Sequence, residues 1–242
     1  MEKMGHHVYE EFILNSRGLK LFTCRWVPKD DPIALVFLCH GYAMECSVSM
    51  KGTATQLVEA GYAVYGIDYE GHGKSSGLQG YVRSFDNVVD DCSDYFTSIC
   101  EMPENRGKQR FLLGESMGGA VTILLHRKMP TFWDGAVLVA PMCKISDDMK
   151  PPAILVNMLG RLSRMFPTWK VVPTQNIVEI AIKTKERRDE VRCNPYCYKG
   201  RPRLKTAHEL LMASLDVEKN LCQVLSKSLF GKQFILVTNK SI

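Results

Sequence analysis

The pentapeptide Gly114-Glu115-Ser116-Met117-Gly118 constrains this chain more than any other stretch. It follows the apolar run Phe111-Leu112-Leu113 and precedes Gly119-Ala120 and the helical run Val121 to Leu125, so it must turn a strand directly into a helix. Glycine has no Cβ, and at positions 114 and 118 this lets strand and helix approach closely enough for the turn to close. Ser116 then sits at a helix N-terminus, where unpaired backbone N–H groups favour developing negative charge. A Gly-x-Ser-x-Gly pattern in this strand–turn–helix setting is a nucleophile elbow, a strained turn that presents a serine hydroxyl.

A serine nucleophile needs a base, and in elbow proteins the acid and the histidine follow the serine along the chain. Only His126 and His208 follow Ser116. His126 lies ten residues on, in the helix that the elbow starts, and cannot turn back to the hydroxyl. His208 lies in the helical stretch Lys205 to Leu211, with no histidine after it. The sequence therefore predicts a nucleophile with neither triad Asp nor triad His in this chain.

At 242 residues, with 45% hydrophobic and 24% charged residues, the chain suits one α/β domain carrying an insertion. Met1 to Glu10 is polar, which predicts no secretory leader, and no apolar run is long enough to span a bilayer. A cytoplasmic protein with peripheral membrane contact is the expectation. The nine cysteines are odd in number and scattered; Cys193 and Cys197 form the one close pair, weak grounds for zinc. Free buried thiols in a reducing compartment fit better, and no metal or organic cofactor is expected.

Periodicity lays out the rest. Glu11 to Leu14 and Leu19 to Trp26 form a hairpin turned at Asn15 to Gly18. Ile33 to Cys39 is a continuous apolar run, suited to a strand buried on both faces, and it leads into His40-Gly41-Tyr42-Ala43. A helix over Ser49 to Glu59 precedes a strand over Ala63 to Ile67. That strand enters the turn-rich loop Asp68 to Gly77. Ser84 to Cys100 is an amphipathic helix, and Ala136 to Val139 is another buried strand. Such alternation predicts an α/β fold, a mostly parallel sheet with helices on both faces.

Several separate motifs, in order, carry a family resemblance. They are His40-Gly41-Tyr42-Ala43-Met44-Glu45, Gly66 to Ser75, Gly114 to Gly119, Ala140-Pro141-Met142 and Asn194 to Gly200. From about Tyr9 to about Val224 the chain resembles the α/β-hydrolases. More narrowly, it resembles the monoacylglycerol lipase group and its plant branch of caffeoylshikimate esterase and lysophospholipase-like members. The resemblance implies an α/β-hydrolase fold with an inserted helical cap. It implies Ser116 as nucleophile, with the backbone N–H groups of Tyr42 and Met117 as oxyanion hole. His40 and His72 are expected to brace their loops by hydrogen bonds, and Asp68 to serve as a turn residue.

Three segments follow. Residues 1–143 form the first part of the core, 144–208 the cap, and 209–242 a truncated and divergent remainder. Between Lys144 and Lys205 there are fourteen Lys or Arg against six Asp or Glu, more than the whole net charge of +5. Ile154, Leu155, Met158, Leu159, Leu162, Met165 and Phe166 recur at helical spacing, with Arg161, Arg164 and Lys170 among or just after them. Such a helix can rest on an anionic membrane or pack its apolar face onto the core; the resemblance favours a lipid-facing lid. The partners expected are a small acyl ester substrate and an anionic membrane surface, and no nucleic acid.

The departure from the family pattern is C-terminal. Phe234 to Val237 is strand-like, but the aspartate turn, histidine loop and final helix of the family are missing, as in a truncated isoform. Two functions stay open at this point. One is a serine ester hydrolase for acylglycerol, lysophospholipid or phenolic esters, working through an acyl-enzyme. The other is a catalytically dead isoform that binds lipid or a partner.

Overall fold

A computed structural model describes residues 5–144, 150–171, 185–227 and 233–237. The strands are β1 (His6–Leu14), β2 (Lys20–Pro28), β3 (Ala34–Cys39), β4 (Ala63–Ile67), β5 (Gln109–Glu115), β6 (Gly135–Val139) and β7 (Gln233–Val237). The helices are α1 (Lys51–Glu59), α2 (Phe85–Glu101), α3 (Met117–Lys128), α4 (Ala153–Met165), α5 (Lys185–Cys193) and α6 (Leu204–Lys227), with a short 3₁₀ turn at Pro103–Asn105. The seven strands form one sheet in the order β1-β2-β4-β3-β5-β6-β7. β1 and β2 are antiparallel, β2 joins β4 antiparallel, and the remaining neighbours are parallel.

The period of two along each strand decides what covers the sheet. In β3 every residue is buried: Leu35, Phe37 and Cys39 join the cluster under α2 and α3, while Val36 and Leu38 join the cluster under α1. In β2, Leu21 belongs to the first cluster and Phe22, Cys24 and Trp26 to the second. α6 brings Ala213 and Val217 back onto the α2–α3 side. A strand with helices on both faces carries apolar residues at every position, as β3 and β4 do.

The hairpin strand begins at His6, earlier than the Glu11 that periodicity predicts. β1 is an edge strand with nearly every side chain exposed, so ladder bonding to β2, from His6 opposite Pro28 onward, extends it without an apolar pattern. The turn that follows is tied to α2. Asn15 Nδ2 donates to Asp91 (3.1 Å), and the Arg17 guanidinium bridges Asp91 (2.6 Å) and Glu70 (3.2 Å). At the other end of the sheet, Phe234 to Val237 do form a strand, paired parallel with β6 from Ala136 to Val139. Residues 225 to 227, where the family pattern lapses, continue α6. No helix among the described residues is long and apolar enough to cross a membrane.

Phe37 sits at the middle of an aromatic group, 4.8 Å from the Phe96 ring, 5.5 Å from Tyr65 and 5.7 Å from Trp133. Deleting a fully buried Phe leaves a cavity as well as losing its transfer energy, about 3 to 5 kcal/mol together. Phe37→Ala is expected to lower the urea midpoint by that amount of stability at unchanged slope. A midpoint within error of the parent would show that this cluster does not hold the sheet to α2.

Candidate active site

β5 lies near the middle of the sheet, and the chain leaves it straight into α3. Ser116 is the residue between them, with φ 54° and ψ −115°. A left-handed φ on a residue with a Cβ is unfavourable and persists only where its surroundings hold it. The holding groups are backbone: Ser116 N–H donates to the Val139 carbonyl (3.0 Å), while the Ser116 carbonyl accepts from Met142 N–H and Gly119 N–H (2.9 Å each). There is no room for side chains around it. A Cβ on Gly118 would overlap the Cys39 carbonyl, and one on Gly114 would overlap the Gly118 carbonyl and the Thr122 hydroxyl. Among the described residues, the non-glycine residues with positive φ are Ala43, Ser116 and Ala140, each just beyond the C-terminal end of β3, β5 or β6. Those ends, side by side in the sheet, are where open α/β sheets bind ligands.

The loop after β3 meets the elbow. A Cβ built on Gly41 would stand 3.6 Å from Ser116 Cβ and 3.6 Å from the Glu115 carbonyl oxygen. Among the described residues, neither the Tyr42 nor the Met117 backbone N–H has a hydrogen-bond acceptor. Ser116 is exposed, and no described group hydrogen-bonds its hydroxyl. The Tyr42 phenol is a brace: it donates to the Gly80 carbonyl (3.0 Å), and burial pushes its pKa well up.

His40 and His72 are buried in this floor. His40 Nε2 accepts from Tyr69 N–H (3.2 Å), so the proton sits on Nδ1 and is donated to the Gly41 carbonyl (2.8 Å). Its ring stacks on Tyr69 at 3.8 Å. Burial, helped by the neighbouring His72, lowers the His40 pKa to about 3. His72 donates from Nδ1 to the Glu70 carbonyl (3.1 Å), and burial lowers its pKa to about 4. Asp68 ties two loops together, accepting from Cys46 N–H (2.9 Å) and Lys74 N–H (3.0 Å). Burial outweighs those bonds and raises its pKa to about 7.

The other singled-out residues lie elsewhere. His126 is buried on α3, about 15 Å of helix rise beyond Ser116. His208 sits on α6, with Nε2 against Gly160 of α4 and Nδ1 3.7 Å from Glu209. Cys193 is exposed at the end of α5, whereas Cys197 is buried against Met44. The apolar face of α4 does not pack onto the core: Ile154 is 75% and Met165 70% exposed, and Leu155, Met158 and Leu162 are exposed too. Arg161 and Arg164 are also exposed on that helix.

Sequence reasoning missed Glu45. Its buried carboxylate accepts from the Ser47 hydroxyl (2.7 Å), Val48 N–H (2.9 Å), Ser49 N–H (2.8 Å), the Ser49 hydroxyl (2.8 Å) and Asn194 Nδ2 (2.9 Å). Burial alone would raise the Glu45 pKa; these bonds overcome it and hold the pKa low. An acid shortly before a helix, with serines two and four residues on, was the available local signal. The partner 149 residues away left none.

Residues 30–229 match the family described as serine aminopeptidase, S33. The chain is 33% identical over 207 residues to caffeoylshikimate esterase of Arabidopsis thaliana, covering 85% of this chain and 62% of that protein. It is 35% identical over 130 residues to monoglyceride lipase of Homo sapiens, covering 54% of this chain and 42% of the lipase. The chain thus spans less than two thirds of the length of these relatives. Among solved structures, a soluble variant of monoglyceride lipase from Saccharomyces cerevisiae, in complex with a substrate analog, superposes with a TM-score of 0.75. That match is at 17% identity and covers 97% of this chain and 76% of the other. The fold is that of the α/β-hydrolases.

The buried titratable floor makes stability pH-dependent. Unfolded histidines take a proton near pH 6.5, whereas folded His40 and His72 resist until about 3 and about 4, so between these values the unfolded chain holds up to two extra protons. Asp68 acts oppositely, keeping its proton when folded up to about 7 and losing it near 3.8 when unfolded. The histidines outnumber it, so these three groups make stability rise with pH between about 4.5 and 6, by up to about 1.4 kcal/mol per pH unit. Urea titrations at successive pH values should show that rise, and His72→Asn should flatten it. A flat or falling profile in the parent protein would refute the assignment.

Proposed function

Because this chain belongs to the serine aminopeptidase S33 family of α/β-hydrolases, we propose that it is a carboxylic ester hydrolase of the monoacylglycerol lipase type, with Ser116 as nucleophile. The observation that carries this is Ser116 itself, exposed and held at positive φ between a parallel strand and its helix, with the Gly41–Tyr42 loop against it. The family description names a peptidase. Ester chemistry is supported by the relatives, a caffeoylshikimate esterase and monoglyceride lipases.

In this mechanism Ser116 Oγ adds to the ester carbonyl. The carbonyl oxygen becomes an oxyanion that accepts from the Tyr42 and Met117 N–H groups, which have no acceptor of their own among the described residues. Collapse of the tetrahedral adduct breaks the bond to the alcohol oxygen, which leaves as the alcohol carrying the proton that Ser116 Oγ gave up. Water then adds to the acyl carbon, the bond to Oγ breaks, the carboxylic acid departs and Oγ regains a proton. Acylglycerol, lysophospholipid and phenolic esters are the substrate classes proposed. Segment 144–208 acts as the cap over this site.

Among the described residues, His40 and His72 spend Nδ1 on loop carbonyls, His208 lies against α4 and Glu209, and His126 is ten residues along α3 from Ser116, so no histidine is placed as its base. Fluorophosphonate labelling of the 242-residue polypeptide is therefore expected to run about four to six orders of magnitude below that of a complete triad, the cost of losing triad members elsewhere. What labelling remains should vanish in Ser116→Ala. Rapid stoichiometric labelling would point to an unassigned base, with His208→Ala the first variant to try. Labelling that survives Ser116→Ala would remove Ser116 from the role.

The exposed apolar face of α4, with Arg161 and Arg164 on the same helix, supports docking on an anionic lipid surface. Binding to anionic vesicles is expected to weaken as salt rises, since charge attraction is screened over about 10 Å at 0.1 M. Charge reversal at Arg161 and Arg164 should weaken it further. Equal, salt-independent binding to neutral and anionic vesicles would exclude an electrostatic contribution.

A further inference from the structure

We propose that Asn194 is a positioning residue: it ties the exit of the inserted segment to the Glu45 carboxylate and so holds the loop that carries the Tyr42 N–H. The contact stands on its own geometry, while its catalytic meaning rests on the ester-hydrolase reading of Ser116.

Asn194 directly follows α5, and its backbone N–H donates to the Glu190 carbonyl (3.0 Å) at that helix's end. The side chain is buried and fully committed. Nδ2 donates to Glu45 Oε1 (2.9 Å) and reaches the Ser49 hydroxyl (3.3 Å), and Oδ1 accepts from Tyr196 N–H (2.9 Å). Four residues later Tyr198 N–H donates to the Ala43 carbonyl (2.9 Å). Ala43 is the loop residue with φ 65°, a conformation that an alanine keeps only under constraint. The loop between β3 and α1 is thus gripped on both sides. Cys46 N–H bonds Asp68 on the core side, and Asn194 and Tyr198 hold Glu45 and Ala43 on the inserted side.

Tyr42 precedes Ala43 and is followed three residues later by Glu45, so its N–H direction is set by this gripped stretch. Hydrogen bonds to a buried carboxylate are strong because the alternative is an unpaired charge in a low dielectric. A carboxamide suits the place better than a hydroxyl or an apolar group. It donates to Glu45 while its oxygen closes the turn at Tyr196. Displacement of the exit of α5 would then be felt at the oxyanion loop without any contact to substrate.

The test uses the full chain and two variants. Asn194→Asp is nearly isosteric and keeps the acceptor for Tyr196 N–H, but it replaces the donor to Glu45 with a second acceptor. Asn194→Ala removes both. Amide hydrogen exchange followed by mass spectrometry should show protection across residues 42–49 falling about 10- to 100-fold in both variants, the range for loss of one hydrogen bond to a charged group. Protection in α2 and α3 should stay within about threefold, the background of a minor stability change. With p-nitrophenyl butyrate as probe, kcat should fall about 10- to 100-fold with KM within about twofold, because the oxyanion donors act in the transition state. Exchange that rises only in residues 194–200, or uniformly over the chain, would overturn the proposal and leave Asn194 a structural residue. If ester turnover by the parent chain survives Ser116→Ala, the reading of Ser116 fails, and the exchange result still decides the clamp.

Discussion

The first turn of α3 touches the end of β3 with no atom to spare. The Cα of Gly118 lies against the Cys39 carbonyl, and Gly114 lies against the Gly118 carbonyl, so neither position admits a side chain. This contact brings three strand ends to one place. β5 must stop where α3 begins, β3 must stop where Gly118 passes, and Val139 at the end of β6 supplies the carbonyl that holds Ser116 N–H. A serine at positive φ is uphill for an isolated chain. Here the packing of α2 and α3 over Phe37, Phe96, Leu112 and Trp133 sustains it, because the elbow cannot relax without lifting α3 from the sheet.

The loops above that contact are held by buried polar groups; among the described residues His72 Nε2 and the Tyr69 hydroxyl lack a hydrogen-bond partner, but Glu45, Asp68 and His40 are satisfied. Glu45, Asp68 and His40 each bond backbone N–H or C=O groups that no sheet or helix supplies with partners. A buried polar group is costly unless its bonds are complete, so each such residue tolerates few positions for the loop around it. The same logic brings in residues 194–209: Asn194 completes Glu45, Thr206 donates to the Gly80 carbonyl and accepts from Val82 N–H, and Glu209 accepts from Phe85 N–H. The segment from Asn194 to Glu209 is therefore built into the two loops flanking the site.

α4 behaves oppositely. It packs against α6, where Gly160 gives room for His208, yet turns its larger apolar side chains outward. Burying such side chains is worth about 25 cal/mol per Å², so a helix that leaves them in water has a face for something apolar. Its amphipathic period in the sequence is equally compatible with packing inward, because periodicity reports that a helix has two faces and not which one meets the protein.

What the amino-acid order determined by itself is the local grammar of the fold. The continuous apolar run Ile33 to Cys39 demanded a strand covered on both sides, found from Ala34 onward, the Asn15 to Gly18 turn demanded a hairpin, and two glycines around Ser116 demanded a strand closing onto a helix. These are short-range consequences of sterics and of the periods of strand and helix. The edge strand from His6 escaped that grammar because ladder bonds, not burial, extend it. Only the tertiary structure decided that Glu45 meets Asn194, that the loop braces His40 and His72 are buried and neutral, that His208 faces α4, and that the apolar side of α4 points outward. Each of these depends on groups brought together from distant parts of the chain, where the cost of burying charge and polar atoms is settled by the partners that arrive, and no local pattern encodes an arrival.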